Sequence, residues 1–225
     1  VNVIVAVLNF TVIVIPSLLN TVIATSVVKW HHNQNVMQIS KMSEYQYYEF
    51  CSISKPLTRE ARMEMASLSS RAQVSTHGAS YVYNYGDFKG NPKQLLLKHF
   101  DVFFYISNFG GIRLLFKYLA DEINIVQMKK YCIKDVISTK TQKENVLLDI
   151  DINLEEGFGW VEGEGMLVDL LPLYDEIKTG NYQFLKLVSS VNEGLTEEGN
   201  TLKTAISKFK NLSIAQEAFL TCVGI

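Results

Sequence analysis

The chain has 225 residues, 48% of them hydrophobic and 20% charged, and its 21 Lys+Arg against 23 Asp+Glu leave a formal net charge of −2. That length accommodates one domain of moderate size, with or without a small appendage, and the near-balanced charge excludes a generally basic nucleic-acid binder. Cys51, Cys132 and Cys222 lie far apart and form no CxxC pair; an odd, scattered set fits a reduced, cytoplasmic protein better than a disulfide framework or a structural zinc site.

Residues 1–28 carry no charged side chain. As a helix they are long enough to cross a bilayer, whose apolar core needs ~20 residues. Pro16 does not exclude a span, because membrane helices tolerate proline. Lys29, His31, His32 and Lys41 follow, so an inserted segment would anchor the protein with its C-terminal part in the cytoplasm. The competing expectation is that 1–41 is a non-native extension ahead of a start at Met42, and a buried strand or core helix is the third. A basic n-region and a small-x-small cleavage site are missing, so a cleaved signal peptide fits poorly.

After Met42 the pattern changes to that of a well-charged globular protein. Tyr45 to Ser54 alternates bulky and polar residues and is predicted as a strand ending before Lys55-Pro56. Thr58 is the expected N-cap of a helix to about Leu68. Ala79 to Tyr85 reads as a strand with Tyr81, Tyr83 and Tyr85 on one face, because strand side chains alternate. Asn91 as cap and Pro92 at the first helical position start a short helix ending near Phe100. Asp101 to Ile106 and Ile112 to Tyr118, joined through Ser-Asn-Phe-Gly-Gly, predict a β-hairpin. A helix over Asp121 to Tyr131 and strands over Ile133 to Thr139 and Asn145 to Leu154 come next. Helical periodicity then covers Met166 to Lys178, Tyr182 to Asn192, Thr201 to Lys210 and Ser213 to Cys222, punctuated by Gly180, Gly194 and Gly199. Strands followed by a run of helices predict an α+β fold: a mainly antiparallel sheet with short helices over 42–160, and a helical region over 161–225 packed on it.

Charge is unevenly spread along the chain. Residues 42–143 hold 14 basic and 9 acidic side chains, whereas 144–225 hold 5 basic and 14 acidic. Asp149-Ile-Asp151-Ile-Asn153 imitates the opening of a calcium loop, but Leu154 stands where the turn needs Gly and Trp160 where it needs Glu. A half-buried strand accounts for that alternation. Glu155, Glu156, Glu162 and Glu164, interleaved with glycines, form the most unusual local composition. Clustered carboxylates can hold a hard cation or divide acid and base roles, while an acidic loop leading into the Met166 helix is the simpler account. HExxH, GxSxG, P-loop and dinucleotide fingerprints are all missing. No catalytic residue, metal ligand or cofactor is therefore assigned. The tyrosine-rich strands suit packing or a protein interface, with Tyr47, Tyr81, Tyr83, Tyr85 and Arg71 as its expected surface. Beside Arg59, Arg62, Lys89 and Lys93, the same rings could stack unpaired bases.

The segments YQYYEF at 45–50, PLT at 56–58, LSSRA at 68–72, YNYGDFKGNP at 83–92, FDVFFYISNFG at 100–110, EGEG at 162–165 and LLPLYDEI at 170–177 resemble a family of uncharacterised bacterial proteins. The likeness runs from Met42 to about Phe219. The chain departs from it at Asn108-Phe109-Gly110, where the family has Asn-Trp-Gly, and lacks a Leu-Pro near Tyr118-Leu119. The resemblance implies no activity and supports a start at Met42.

The functional expectation is a cytoplasmic, non-catalytic interaction module with a protein partner. Two alternatives are a nucleic-acid-associated protein using the basic 42–143 half, and a metal-dependent enzyme around the acidic 155–164 loop. A membrane partner follows only if residues 1–28 are native.

Overall fold

The computed structural model describes Val7–Leu8, Thr11–Val12, 44–154, 161–196, Thr204 and 206–225. The chain divides into two units, Val1–Met42 and Ser43–Ile225. In the first, Val7–Leu8 pairs antiparallel with Thr11–Val12, as β-branched residues favour. The rest of the leader, and with it the expected span over 1–28, lies outside the described residues. Among those residues no helix is long and apolar enough to cross a membrane.

The second unit is α+β. Its strands are β1 (Gln46–Cys51), β2 (Gln73–Val74), β3 (Gly78–Tyr83), β4 (Val102–Ser107), β5 (Gly111–Leu119), β6 (Ile137–Gln142) and β7 (Asn145–Asn153). They form one antiparallel sheet of seven strands in the order β2-β3-β1-β4-β5-β7-β6. Helices whose bounds lie within the described residues are α1 (Arg59–Ser67), α2 (Pro92–His99), α3 (Ile125–Met128), α4 (Met166–Leu170), α5 (Pro172–Lys178), α6 (Gln183–Thr196) and α7 (Ile214–Cys222).

Local chemistry explains most boundaries. Thr58 Oγ1 accepts from the Ala61 amide at 3.1 Å and Asn91 Oδ1 from Gln94 at 3.1 Å, so both predicted caps start their helices. β1 stops at Cys51 because the Asp101 carboxylate takes the next free amides, Ile53 at 2.8 Å and Ser54 at 3.0 Å. In the β4–β5 turn Gly110 has φ 104°, and a Cβ there would run into the Leu154 carbonyl, so only glycine fits.

Four boundaries correct the sequence reading. Ile133 and Ile137 exchange backbone hydrogen bonds of 2.9 Å across a turn with Asp135 at φ 65°, so the strand expected from Ile133 starts at Ile137. The helix expected from Asp121 begins at Ile125, where Asn124 Oδ1 accepts from Gln127 at 3.0 Å, and ends as a 3-10 turn over Lys129–Tyr131. Met166 to Lys178 is broken before Pro172, which has no N–H to continue the ladder. Gly194 lies inside α6 rather than ending it. Of the helix expected over Thr201 to Lys210, residues 201–203 and 205 lie outside the described residues.

The sheet is buried on both faces. On one side Tyr48, Phe50, Tyr81, Phe103, Leu115 and Leu147 pack with Ala61 and Met65 of α1 and Leu95 and Leu96 of α2. On the other, Phe104, Ile106, Leu114, Phe116, Leu148 and Ile150 pack with Leu170, Ile177, Phe184, Val188 and Phe219 of the C-terminal helices. Double coverage explains why VFFYIS and IRLLF read as continuous apolar runs. Tyr118 and Tyr174 stack at 4.6 Å, with Tyr118 Oη donating to the Tyr174 carbonyl (3.2 Å) and Tyr174 Oη to that of Lys117 (3.1 Å).

Candidate functional site

Alternation along β1 sends Gln46, Tyr48 and Phe50 to the α1–α2 side and Tyr47 and Glu49 to the other. In register, Glu49 lies opposite Ser80 on β3 and Phe104 on β4, and Ser80 lies opposite Gln73 on the edge strand β2. The C-terminal helices bury Tyr47 and the strands beyond it. Around Glu49, Ser80 and Gln73 the face opens instead into a cleft of about 390 Å³, closed on one side by Glu164 and Gly165.

The loop at 162–165 is held there by two contacts. The Gly163 amide donates to Tyr45 Oη at 3.0 Å, and the Gly163 Cα lies so close to the Tyr47 ring that an added Cβ would stand 2.5 Å from Cδ1. Tyr47 Oη in turn donates to Glu49 Oε2 at 3.1 Å. Burial raises the Glu49 carboxyl above its ordinary 4.5; the Tyr47 hydrogen bond opposes that shift and the Glu164 charge adds to it. Burial, with the negative charges of Glu49 and Asp101, also pushes the Cys51 thiol up to about 11.

Other enclosed carboxylates in this protein are treated differently. Asp149, 6% exposed, accepts from Arg113 Nε (2.8 Å) and Nη2 (2.7 Å), and Lys93 Nζ stands 2.6 Å away. Asp101, also 6% exposed, has Lys117 Nζ at 3.2 Å and three hydrogen bonds from Ile53 and Ser54. In both, burial acts to raise the carboxyl, and the hydrogen bonds and cations outweigh it, so each sits below its ordinary 3.8. Among the described residues, no Lys, Arg or His lies within ion-pair distance of Glu49 or Glu164.

The five residues expected to form an aromatic surface do not gather into one. Tyr47 (3% exposed) and Tyr81 (1%) point to opposite faces of the sheet. Tyr83 packs edge-on against Tyr48 at 5.8 Å and Phe88 at 6.3 Å, its hydroxyl enclosed without a partner among the described residues. Tyr85, 79% exposed, lies beyond the end of β3, and Arg71 is exposed in the turn before β2. The aromatics of the basic half are thus mostly core: Tyr48 contacts Phe88 at 5.0 Å and Tyr105 at 4.7 Å beneath α1 and α2. Of the acidic residues, Glu164 lines the cleft and Glu162 is exposed near Tyr45, while Glu155 and Glu156 lie outside the described residues. Among those described, no group of three or more His, Cys, Asp or Glu is placed to hold a metal ion. Glu49 was missed in the sequence, although an acid inside YQYYEF is a visible anomaly.

Fold and cleft define an α+β domain with a seven-stranded antiparallel sheet covered on both faces and an acidic opening near one edge. Compared with known proteins, the chain matches no family model, no curated protein and no solved structure.

Proposed function

We propose that this is a cytoplasmic, non-catalytic interaction module whose cleft receives a basic side chain from a protein partner. The observation that carries the reading is Glu49, a half-buried carboxylate beside a second carboxylate in an open cleft, with no cation within ion-pair distance among the described residues. Burying a charge without compensation costs free energy, and an arriving ammonium or guanidinium offsets that cost. Asp101 and Asp149 support the contrast, since the same chain supplies each of them with a lysine or arginine. The edge position supports a partner segment in extended form: β2 pairs only with Ala79 and Ser80, and no strand among the described residues pairs with Tyr81–Tyr83 on that side. Unpaired thiols at Cys51, Cys132 and Cys222 support the cytoplasmic assignment.

The test is fluorescence anisotropy with an extended, labelled peptide carrying a central arginine, against the same peptide with citrulline. The full chain is expected to prefer arginine by about tenfold, or 1.4 kcal/mol, and the E49Q/E164Q variant to lose that preference. Equal affinity for both peptides, or a preference unchanged in the variant, sinks the proposal.

A further inference from the structure

A second surface, remote in sequence from Glu49, combines aromatic rings with lysines. Tyr131, in the turn after α3, and Tyr182, before α6, place their ring centroids 5.4 Å apart at 35°. Lys186 Nζ lies 5.9 Å from the Tyr131 centroid. A cleft of about 480 Å³ is lined by this pair, Lys208 and Lys210, and a second of about 260 Å³ by Lys130; Tyr131 and Lys186 line both. The walls are tied together, since Gln183 Nε2 donates to the Lys210 carbonyl at 3.3 Å and Tyr182 Oη to that of Asn124 at 3.3 Å. Lys130, Lys186, Lys208 and Lys210 are exposed, and among the described residues no carboxylate lies within ion-pair distance of them. Three of these lysines come from the half of the sequence that is acidic overall.

We infer that this groove binds single-stranded nucleic acid. Ammonium groups spaced along a track neutralise successive phosphates and release counterions, while aromatic faces stack bases of any identity. Both elements are present here in two neighbouring clefts that share Tyr131 and Lys186. An acidic peptide would use the lysines and leave the rings idle, and a duplex hides its base faces, so the unpaired strand fits best. This site stands apart from the proposed peptide cleft and shares no residue with it.

The experiment is anisotropy of labelled oligo(dT) and oligo(U) titrated with the full chain. With four phosphates neutralised, one per lysine, affinity is expected to fall about fiftyfold between about 50 and 200 mM salt, from a slope of about −0.7 per phosphate. The K208E/K210E variant, changed only at exposed positions, is expected to lose at least tenfold in affinity, on the order of two phosphate contacts. Tyr131→Leu is expected to lose about fivefold or more for oligonucleotides, the scale of one stacked base, and nothing for inorganic polyphosphate, with folding checked by thermal unfolding. Lys55→Glu, an exposed charge elsewhere, is expected to stay within about twofold, a rim-charge effect. No binding at the lower salt, an equal loss in Lys55→Glu, or poly-glutamate binding as tightly as the oligonucleotides each overturns the inference.

Discussion

Replacing Gly163 with alanine tests whether the Tyr47 ring truly seats the loop that carries Glu164. An added Cβ would lie 2.5 Å from Tyr47 Cδ1 and 2.6 Å from both Cβ and Cγ, against ordinary contact beginning at 3.4 Å. The loop and the ring must therefore separate by ~0.9 Å, at a tyrosine that is only 3% exposed within the sheet. Overpacking of this kind costs about 1–3 kcal/mol. At ~2–4 °C per kcal/mol for a protein of this size, Tm should fall by roughly 2–12 °C. Urea unfolding followed by circular dichroism reads the change as a lower midpoint with an unchanged slope. Because any Cβ clashes, Gly163→Asn should behave like Gly163→Ala. At Gly165, with φ 83° and nothing within 4 Å of an added Cβ, asparagine should be tolerated better than alanine, since only the left-handed backbone is at issue. Truncating the ring removes the contacts with Cγ and Cδ1, so a Tyr47→Ala, Gly163→Ala cycle should show coupling of about 0.5–3 kcal/mol. A Gly163→Ala midpoint within ~0.3 kcal/mol of wild type, the usual limit of additivity error, would falsify this packing argument.

Glu49→Gln should stabilise the protein at neutral pH by about 0.5–1 kcal/mol, as removal of an unfavourable charge does. The folded Glu49 carboxyl lies above 4.5 and the unfolded one at that value, so wild-type stability falls as pH rises through that window, and the advantage of the variant should vanish below it. Denaturant midpoints measured from about pH 4 to pH 7.5 read the difference; a pH-independent gap would contradict the assignment. Asp149→Ala should cost about 1.5–3 kcal/mol, the loss of charge-assisted hydrogen bonds to an Arg113 that keeps Asp151 at 3.4 Å, whereas Lys93→Ala, at a lysine side chain 45% exposed, should cost about 1 kcal/mol or less. Asp101 and Asp149 shift the opposite way to Glu49. Their stabilisation is complete above 3.8 and lost as pH falls through their lower folded values, so Asp101→Asn should flatten the acid limb of an unfolding titration. Phe104→Ala, at a fully buried ring between the sheet and the C-terminal helices, should cost about 3–5 kcal/mol by urea unfolding.

What was legible in the sequence was what short-range chemistry decides. Thr58 and Asn91 cap the helices expected of them, and the helix expected over Ser213 to Cys222 forms with Ser213 Oγ accepting from Gln216 at 3.2 Å. The hairpin around Asn108-Phe109-Gly110 forms because its turn residues permit it. Misread boundaries arose where backbone geometry overrode pattern, as at Asp135 with its positive φ, or where tertiary packing overrode propensity, as at buried Gly194 inside α6.

By itself, then, the sequence determined the α+β class, the order of most elements and the alternation that sends Tyr47 and Tyr48 to opposite faces, because periodicity and capping are local properties. Only the tertiary structure decided which faces are covered. Helices on both sides turned an apparent tyrosine surface into core, and ion pairs such as Lys93–Asp149 and Lys178–Glu122 joined a basic half to an acidic one. Whether a carboxylate finds a cation depends on residues distant along the chain. Asp149 and Asp101 find theirs, whereas Glu49 has a hydrogen bond from Tyr47 and Glu164 as a second negative charge nearby.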